Sequence, residues 1–162
     1  MQTRRRVLFV CMGNICRSPT AEGVFRRVIT EAAATGRIDC DSAGTHGYHV
    51  GEPPDARAQT HAAQRGYDLS GLRARKVEVA DFTRFDLVLA MDRTNLALLR
   101  ELCPPRQHRR VALYGDFSVR YPGQDVPDPY YGGARGFEQV LDMIEETSQR
   151  LLQRLTEPPA IP

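Results

Sequence analysis

The 162-residue chain has no long apolar run and no marked excess of charge of either sign. No stretch approaches the roughly 20 apolar residues of a membrane-spanning helix, and the N-terminus carries no apolar signal core. The 22 basic and 20 acidic side chains leave a formal net charge of +2. Such a balance does not favour binding to nucleic acid or to a membrane surface. We therefore expect a cytoplasmic protein without a membrane span.

Cysteine is also scarce. The four cysteines are too few for a disulfide scaffold, and no two of them have the CxxC spacing of a zinc site. We expect free thiols in a reducing compartment and no cofactor.

With 41% hydrophobic residues the chain is long enough for one well-filled core. We predict one domain over residues 1–157 and a loose tail over residues 158–162.

Short apolar runs alternate with segments of helical periodicity along the whole chain. The runs predict strands at residues 7–10, 38–43, 85–91 and 111–114. Helices are predicted at residues 19–34, at 55–65, from the cap Asp92 to the prolines at 104 and 105, and from 137 to 155. In the first helix Ser18 is the predicted N-cap and Gly36 the predicted end. The pattern predicts an α/β fold: a single-domain three-layer sandwich, with a four-stranded parallel sheet covered by helices on both faces.

The segment CMGNICRSPT, residues 11–20, joins the first strand to the first helix. Ligands of an open parallel sheet bind outside the carboxyl ends of its strands, where this loop lies. A loop that leads into a helix can aim several backbone N–H groups at one tetrahedral anion. Arg17 would add two charge-assisted hydrogen bonds. Cys11 would then lie beneath the central atom of the anion.

Cys103 and Arg109 repeat the spacing of Cys11 and Arg17. Pro104 and Pro105 offer no N–H group, and neither a preceding strand nor a following capped helix accompanies them. We therefore interpret Cys103 as a half-buried thiol near a helix end. The spacing alone does not identify a nucleophile, but the strand, glycine, arginine, predicted helix cap and proline around Cys11 all favour this residue.

A nucleophilic cysteine must be ionised, whereas an unperturbed thiol has a pKa of about 8.5. A helix terminus contributes about 0.3 to 1 kcal/mol, which is less than one pKa unit. The remainder must come from convergent N–H groups, Arg17 and the Ser18 hydroxyl. The second thiol of the loop, Cys16, has two interpretations: a small apolar filler behind the loop, or a resolving thiol that pairs with Cys11 on oxidation.

The segments VCMGNICRSP at residues 10–19 and DPYY at 128–131 together resemble the low-molecular-weight protein tyrosine phosphatases. The likeness spans almost the whole chain and includes DSAGT at 41–45, EPPDARA at 52–58 and FDLVLAMD at 85–92. It implies a four-stranded parallel sheet and metal-independent hydrolysis of phosphotyrosine and aryl phosphates through a phosphocysteine. Cys11 matches the nucleophile, Arg17 the phosphate clamp and Asp128 the general acid.

The resemblance also implies roles for the residues around these three. Asn14 matches an asparagine that orders the loop, Ser42 a serine that supports it, and Ser18 a hydroxyl that stabilises the thiolate. The remaining residues expected to bind phosphate or to border the cleft are Met12, Gly13, Ile15, Cys16, Tyr48, Tyr130 and Tyr131. The expected partner is a protein that carries phosphotyrosine, with phosphate as product or inhibitor. The two DPYY tyrosines also suggest a face for weak self-association.

Four further residues leave alternatives open or depart from the family pattern. Without the resemblance, Asp125 competes with Asp128 as the acid. Where many relatives carry a histidine in an S-x-H-x-A-R stretch, this chain has Leu72, which puts local loop packing in doubt. His46 and His49 have a metal-like spacing, but no further ligands accompany them, so no metal site is expected.

Three other functions compete with a phosphatase. An arsenate reductase of this fold needs two relay cysteines near mid-chain, and residues 67–102 contain none. A phosphotyrosine-binding module without turnover would have no use for Cys11, Arg17 and Asp128 together. A purely structural domain would leave the glycine-bearing thiol loop unexplained.

Overall fold

The computed structural model describes residues 4–157 and contains one parallel sheet in the order β2-β1-β3-β4. The strands are β1 Arg5–Cys11, β2 Ile38–Gly44, β3 Leu87–Ala90 and β4 Val111–Leu113. The α-helices are α1 Arg17–Glu31, α2 Ala56–Gln64, α3 Asp81–Arg84, α4 Arg93–Leu102 and α5 Ala134–Thr156. Two short 3-10 helices, Pro105–Arg110 and Tyr114–Phe117, flank β4.

The central strand β1 is covered on both faces, which explains its continuous apolar sequence. On one face Phe9 packs edge-to-face against Phe25 of α1 and against Tyr114, both with ring centroids 5.6 Å apart, and α5 completes this layer. On the other face Leu8 and Val10 share a core with residues of α3 and α4. The predicted three-layer α/β fold is therefore confirmed. Within residues 4–157, no helix combines the length and apolarity needed to cross a membrane.

The prediction that Ser18 caps the first helix is wrong. Helix α1 begins at Arg17, Cys16 precedes it without a side-chain cap bond, and Ser18 lies inside the first turn. Its hydroxyl is engaged by residues of the preceding loop and is not available to a backbone N–H of the helix. The helix also ends early, at Glu31, and Ala33 adopts a left-handed φ of 54° instead of the predicted Gly36.

Other boundaries differ where the elements are short. The sequence analysis did not predict α3 or the two 3-10 helices, since four to six residues give too few turns for a helical period. Strand β3 is confined to residues 87–90, and α5 begins at Ala134, three residues before the predicted start. Asp92 caps α4 as predicted, and Asp55, which was predicted as the first residue of its helix, caps α2. The proposed tail, residues 158–162, lies outside the described residues.

Strand β1 lies between β2 and β3 in the sheet. After β1 the chain moves to one side to form β2, and it then crosses to the other side of β1 to form β3. In such a sheet a crevice opens beyond the carboxyl end of the strand where the order reverses. That end is Cys11, paired in register with Gly44 at the end of β2. A Cβ atom on Gly44 would approach the Met12 carbonyl oxygen to 2.7 Å, so only glycine lets β2 run this close to the loop.

Candidate active site

The loop of residues 12–16 is attached to the sheet at its start and opens into α1 at its end. The backbone N–H groups of Thr45 and His46 donate to the carbonyls of Cys11 and Met12, at 2.9 and 3.0 Å. At the other end, none of the backbone N–H groups of residues 15–18 has an acceptor within residues 4–157. Unsatisfied N–H groups at a helix N-terminus, with the helix dipole behind them, form a site for an anion.

Asn14 forces the sharp bend of this loop. Its φ of 57° is left-handed, a conformation that is strained for a residue other than glycine. Its side-chain nitrogen donates to Ser18 Oγ at 2.8 Å and to Ser42 Oγ at 2.9 Å, and its side-chain oxygen accepts from the Arg75 backbone N–H at 2.9 Å. Three hydrogen bonds, two buried and one partly buried, thus stabilise the strained conformation.

The sulfur of Cys11 lies within reach of two hydrogen-bond donors. Ser18 Oγ is 3.0 Å from Cys11 Sγ, and the Asn14 backbone N–H donates to the same sulfur at 3.3 Å. Because the Asn14 side chain already donates to Ser18, the Ser18 hydroxyl keeps its own proton to donate, with the sulfur at 3.0 Å and the Ala43 carbonyl at 3.4 Å as acceptors. Ser18 Oγ and the Asn14 N–H are thus placed to donate to negative charge on the sulfur.

Arg17 is 3% exposed and is held by groups from two other segments. Its Nη1 donates to Asp92 Oδ2 at 2.6 Å and to the Val126 carbonyl at 3.1 Å, while Nη2 lies 3.7 Å from Asp128 Oδ2. Burial by itself lowers the pKa of Arg17, but Cys11, Asp92 and Asp128 outweigh it, and the net shift is upward. The guanidinium therefore remains a fixed positive charge beside Cys11.

Asp92 is a site residue that the sequence analysis took only for a helix cap. One carboxylate oxygen accepts from the Asn95 backbone N–H at 2.8 Å and so caps α4, while the other holds Arg17. The sequence does hold a feature that indicates this role. Asp92 follows β3, and the carboxyl end of β3 lies at the same edge of the sheet as Cys11 at the end of β1.

A cleft of about 200 Å³ opens above the loop. Its lining residues are Cys11, Met12, Gly13, Ile15, Cys16, Arg17, Tyr48, His49, Asp128, Tyr130 and Tyr131. All but His49 were predicted site residues. The other three predicted residues, Asn14, Ser18 and Ser42, are not among the lining residues: their buried side chains bond to one another behind the loop.

Aromatic side chains form the mouth of the cleft. Tyr48 is 71% exposed and stacks on His46 with ring centroids 5.1 Å apart. Tyr130 and Tyr131 meet edge-to-face at 4.9 Å, and Tyr131 is 85% exposed. These exposed rings leave a slot with apolar walls above the polar floor at Cys11 and Arg17.

The two candidate acids are in different surroundings. Asp128 lines the cleft and accepts a 3.0 Å hydrogen bond from the Tyr130 backbone N–H. Asp125 pairs instead with Arg93 at 2.7 Å and is not among the residues that line the cleft. Geometry therefore favours Asp128 as the carboxyl group that meets a molecule bound in the cleft.

The family model described as low molecular weight phosphotyrosine protein phosphatase matches residues 6–159. The chain belongs to this phosphatase family. A low molecular weight protein-tyrosine-phosphatase of Streptomyces coelicolor is 45% identical over 155 residues, covering 94% of each chain. A low molecular weight phosphotyrosine protein phosphatase of Schizosaccharomyces pombe is 40% identical over 151 residues, covering 93% of this chain and 96% of its own.

A solved structure supports the same assignment. The crystal structure of a protein tyrosine phosphatase from Entamoeba histolytica, with Hepes in its active site, superposes with a TM-score of 0.90. The two chains are 40% identical, and the match covers 93% of this chain and 96% of the other. The predicted family is confirmed. The predicted enzyme class, a hydrolase that is a phosphotyrosine protein phosphatase, is confirmed with it.

All four cysteines of this phosphatase are free and buried. Burial, with smaller contributions from Asp55 and Cys11, raises the pKa of the Cys16 thiol, which therefore stays neutral and packs beside Ile15 and Phe137. This packing suits the filler interpretation, while a disulfide with Cys11 on oxidation stays a prediction. Cys103 is buried, not half-buried as predicted, because it packs into the core beneath α4.

The two histidines with metal-like spacing, and Leu72, have hydrogen-bond partners close to them in the sequence. His46 Nδ1 lies 2.8 Å from Thr45 Oγ1, and His49 Nδ1 lies 2.7 Å from Glu52 Oε2. Among residues 4–157 no three potential metal ligands converge. Leu72 is half-buried, and its N–H closes a turn onto the Leu69 carbonyl at 3.1 Å; its correspondence to the family histidine stays a prediction.

The Arg17–Asp92 contact generates a testable prediction. In Asp92→Asn the side-chain oxygen can still cap α4, but Arg17 loses its charged partner. A hydrogen bond to a charged group contributes about 1.5–3 kcal/mol, so we expect kcat/KM for p-nitrophenyl phosphate to fall about tenfold to a hundredfold.

The matched control is Asp125→Asn, which breaks the exposed pair with Arg93 outside the cleft and is expected to leave kcat/KM near that of the wild type. A wild-type kcat/KM in Asp92→Asn would show that Arg17 does not need this partner.

Proposed function

We propose that this chain hydrolyses phosphotyrosine in proteins, and aryl phosphates, without a metal and through a phosphocysteine intermediate. One observation supports this mechanism above the others. The sulfur of Cys11, its hydrogen-bond donors, the guanidinium of Arg17 and the carboxyl group of Asp128 meet at a single cleft. These are the nucleophile, the anion clamp and the acid that two-step phosphoryl transfer requires.

In the first step the Cys11 thiolate attacks phosphorus. The sulfur–phosphorus bond forms as the bond from phosphorus to the phenolic oxygen breaks, and Asp128 gives its proton to that oxygen. Arg17 and the N–H groups of the loop bind the equatorial oxygens, where negative charge is spread in the transition state. The tyrosine leaves neutral, and Asp128 is left ionised.

In the second step water attacks the phosphocysteine. Asp128 accepts a proton from the water, the sulfur–phosphorus bond breaks, and inorganic phosphate forms. The leaving group is the Cys11 thiolate, which Ser18 Oγ and the Asn14 N–H are placed to stabilise. Since the product keeps three oxygens that suit the loop, free phosphate should compete with substrate.

The depth of the cleft supports phosphotyrosine over phosphoserine. The reacting sulfur lies at the floor, whereas Tyr48, Tyr130 and Tyr131 stand at the mouth. A phenyl ring is long enough to carry a phosphate to the floor and offers apolar surface to these walls. A serine side chain is shorter and lacks that surface.

The proposed setting is the cytoplasm, and the four free cysteines support a reducing environment. The expected partners are proteins that carry phosphotyrosine. Exposed Tyr130 and Tyr131 support the further proposal of weak self-association through the mouth of the cleft, and residues 1–157 are proposed to form the single catalytic domain.

Replacing the nucleophile tests the proposed function. Cys11→Ser is expected to lose all measurable hydrolysis of p-nitrophenyl phosphate, because a hydroxyl has no accessible anion at neutral pH. Wild-type activity should resist EDTA, since no step uses a metal. The assay covers pH 5 to 8 with freshly reduced protein.

Cys103→Ser is the matched control, because this second buried cysteine lies in the core below α4 and should leave activity close to the wild type. Loss of activity in EDTA, or residual turnover by Cys11→Ser, would contradict the mechanism.

The acid is tested by varying the leaving group. Asp128→Ala should lower kcat/KM for phenyl phosphate, which reports the first step alone, about 10² to 10⁴-fold, because a phenolate of high pKa needs the proton. The loss should be smaller for p-nitrophenyl phosphate, whose leaving group is a weaker base.

Asp125→Ala, three residues away and outside the cleft, should change neither rate markedly. Equal losses in the two variants, or a loss that does not depend on the leaving group, would overturn the assignment of Asp128.

A further inference from the structure

Helix α1 carries a buried carboxylate that the proposed chemistry does not use. Glu22 is 3% exposed; its Oε1 accepts from Ser42 Oγ at 2.7 Å, and its Oε2 accepts from Arg26 Nε and Nη2 at 3.1 and 2.9 Å. Burial raises the pKa of Glu22, the hydrogen bonds from Ser42 and Arg26 lower it, the nearby Asp41 raises it, and the net shift is upward. A carboxylate is costly to bury unless its oxygens are satisfied.

Arg26 fixes which oxygen of Glu22 faces Ser42. Its Nη2 also donates to the Cys40 carbonyl at 2.7 Å, which ties the guanidinium to β2 and directs it at Oε2. Only Oε1 remains for Ser42. An ionised carboxylate accepts hydrogen bonds and cannot donate, so the single hydroxyl proton of Ser42 points at Glu22.

The direction of this bond sets the direction of the next ones. With its proton committed to Glu22, Ser42 meets Asn14 as an acceptor and takes one of the two protons on the Asn14 side-chain nitrogen. The second proton goes to Ser18 Oγ, and Ser18 then has its own proton to donate. Its acceptors are Cys11 Sγ at 3.0 Å and, at 3.4 Å, the Ala43 carbonyl. The Arg75 backbone N–H donates to the Asn14 side-chain oxygen, which requires the same orientation of the Asn14 amide.

We propose that Glu22 is a positioning residue that orders the Ser42–Asn14–Ser18 hydrogen bonds so that the last of them donates to Cys11. The inference rests on the proposed function in taking Cys11 as the nucleophile. Glu22 does not touch the cleft and acts only through Ser42. The carboxylate thereby supports both the left-handed conformation of Asn14 and the thiolate.

Glu22→Gln changes the charge with little change of shape. Arg26 has only donors to offer, so the amide oxygen of the new side chain turns to Arg26 and its nitrogen turns to Ser42. Ser42 then receives a second donor, and its own proton competes with the Arg75 N–H for the Asn14 oxygen. The orientation of the Asn14 amide is no longer unique, and Ser18 loses its fixed direction towards the sulfur.

The test is the rate at which iodoacetate alkylates Cys11 in the resting enzyme, measured from pH 4 to 9, with the modified peptide identified by mass spectrometry. In Glu22→Gln the midpoint of the rate against pH should rise, and alkylation on the acidic side should slow about tenfold, the value of one hydrogen bond. Glu31→Gln is the matched control, because this exposed glutamate of the same helix pairs only with Arg27.

Ser42→Ala separates positioning from general packing. If Glu22 acts through Ser42, adding Glu22→Gln to Ser42→Ala should cause no further shift of the midpoint. Equal shifts with and without Ser42, or a wild-type midpoint in Glu22→Gln, would overturn the proposal. Because alkylation needs no turnover, a wild type without phosphatase activity would contradict the proposed function and leave this test intact.

Discussion

The hydrogen bonds of the Asn14 side chain are the interaction on which the candidate site depends. A left-handed residue in the middle of the loop makes its sharp bend, and three hydrogen-bond partners, two of them buried, make that conformation stable. The partners come from α1, from β2 and from the segment before α3, so the loop adopts its shape only once these elements have packed. A buried hydrogen bond contributes only about 1 kcal/mol net, and several must act together to offset the backbone strain.

Opposite charges are arranged around the same point. Arg17 is kept positive and fixed by Asp92 and by the Val126 carbonyl, so its position does not depend on a bound ligand. Such preorganisation matters because a charge that is already oriented costs nothing to reorient when negative charge develops during reaction. Burial raises the pKa of the second loop thiol, Cys16, whereas Cys11 is the loop thiol that Ser18 Oγ and the Asn14 N–H approach.

The sequence was sufficient to predict the parallel sheet and the loop at its edge, since a buried central strand followed by a glycine-bearing turn and a helix leaves few alternatives. It also predicted ten of the eleven residues that line the cleft. Ser18 was misjudged as a cap because a serine before a proline fits the local rule, whereas its tertiary partners Cys11 and Asn14 cannot be seen locally. The contact of Asp92 with Arg17 was not predicted, because the role of Asp92 as a helix cap already explained why an aspartate stands at this position.

Contacts with distant segments distinguish candidate residues that the sequence left as alternatives. Asp125 and Asp128 are three positions apart in one loop, and only the Arg93 side chain shows which of them is occupied elsewhere. Short elements such as α3 escaped prediction because tertiary contacts, not periodicity, define them. Glu22 is similar: nothing in its helical position reveals that its partner is Ser42, on the strand that follows α1, 20 residues further along the chain.

The central claim is that phosphate passes through the sulfur of Cys11. The direct measurement is to denature the enzyme rapidly during turnover of p-nitrophenyl phosphate and to locate enzyme-bound phosphate by phosphorus NMR and by mass spectrometry of peptides. The account predicts phosphate on the sulfur of Cys11 and on no other residue. Phosphate found on another side chain, or steady turnover with no phosphoenzyme formed in the first cycle, would contradict it.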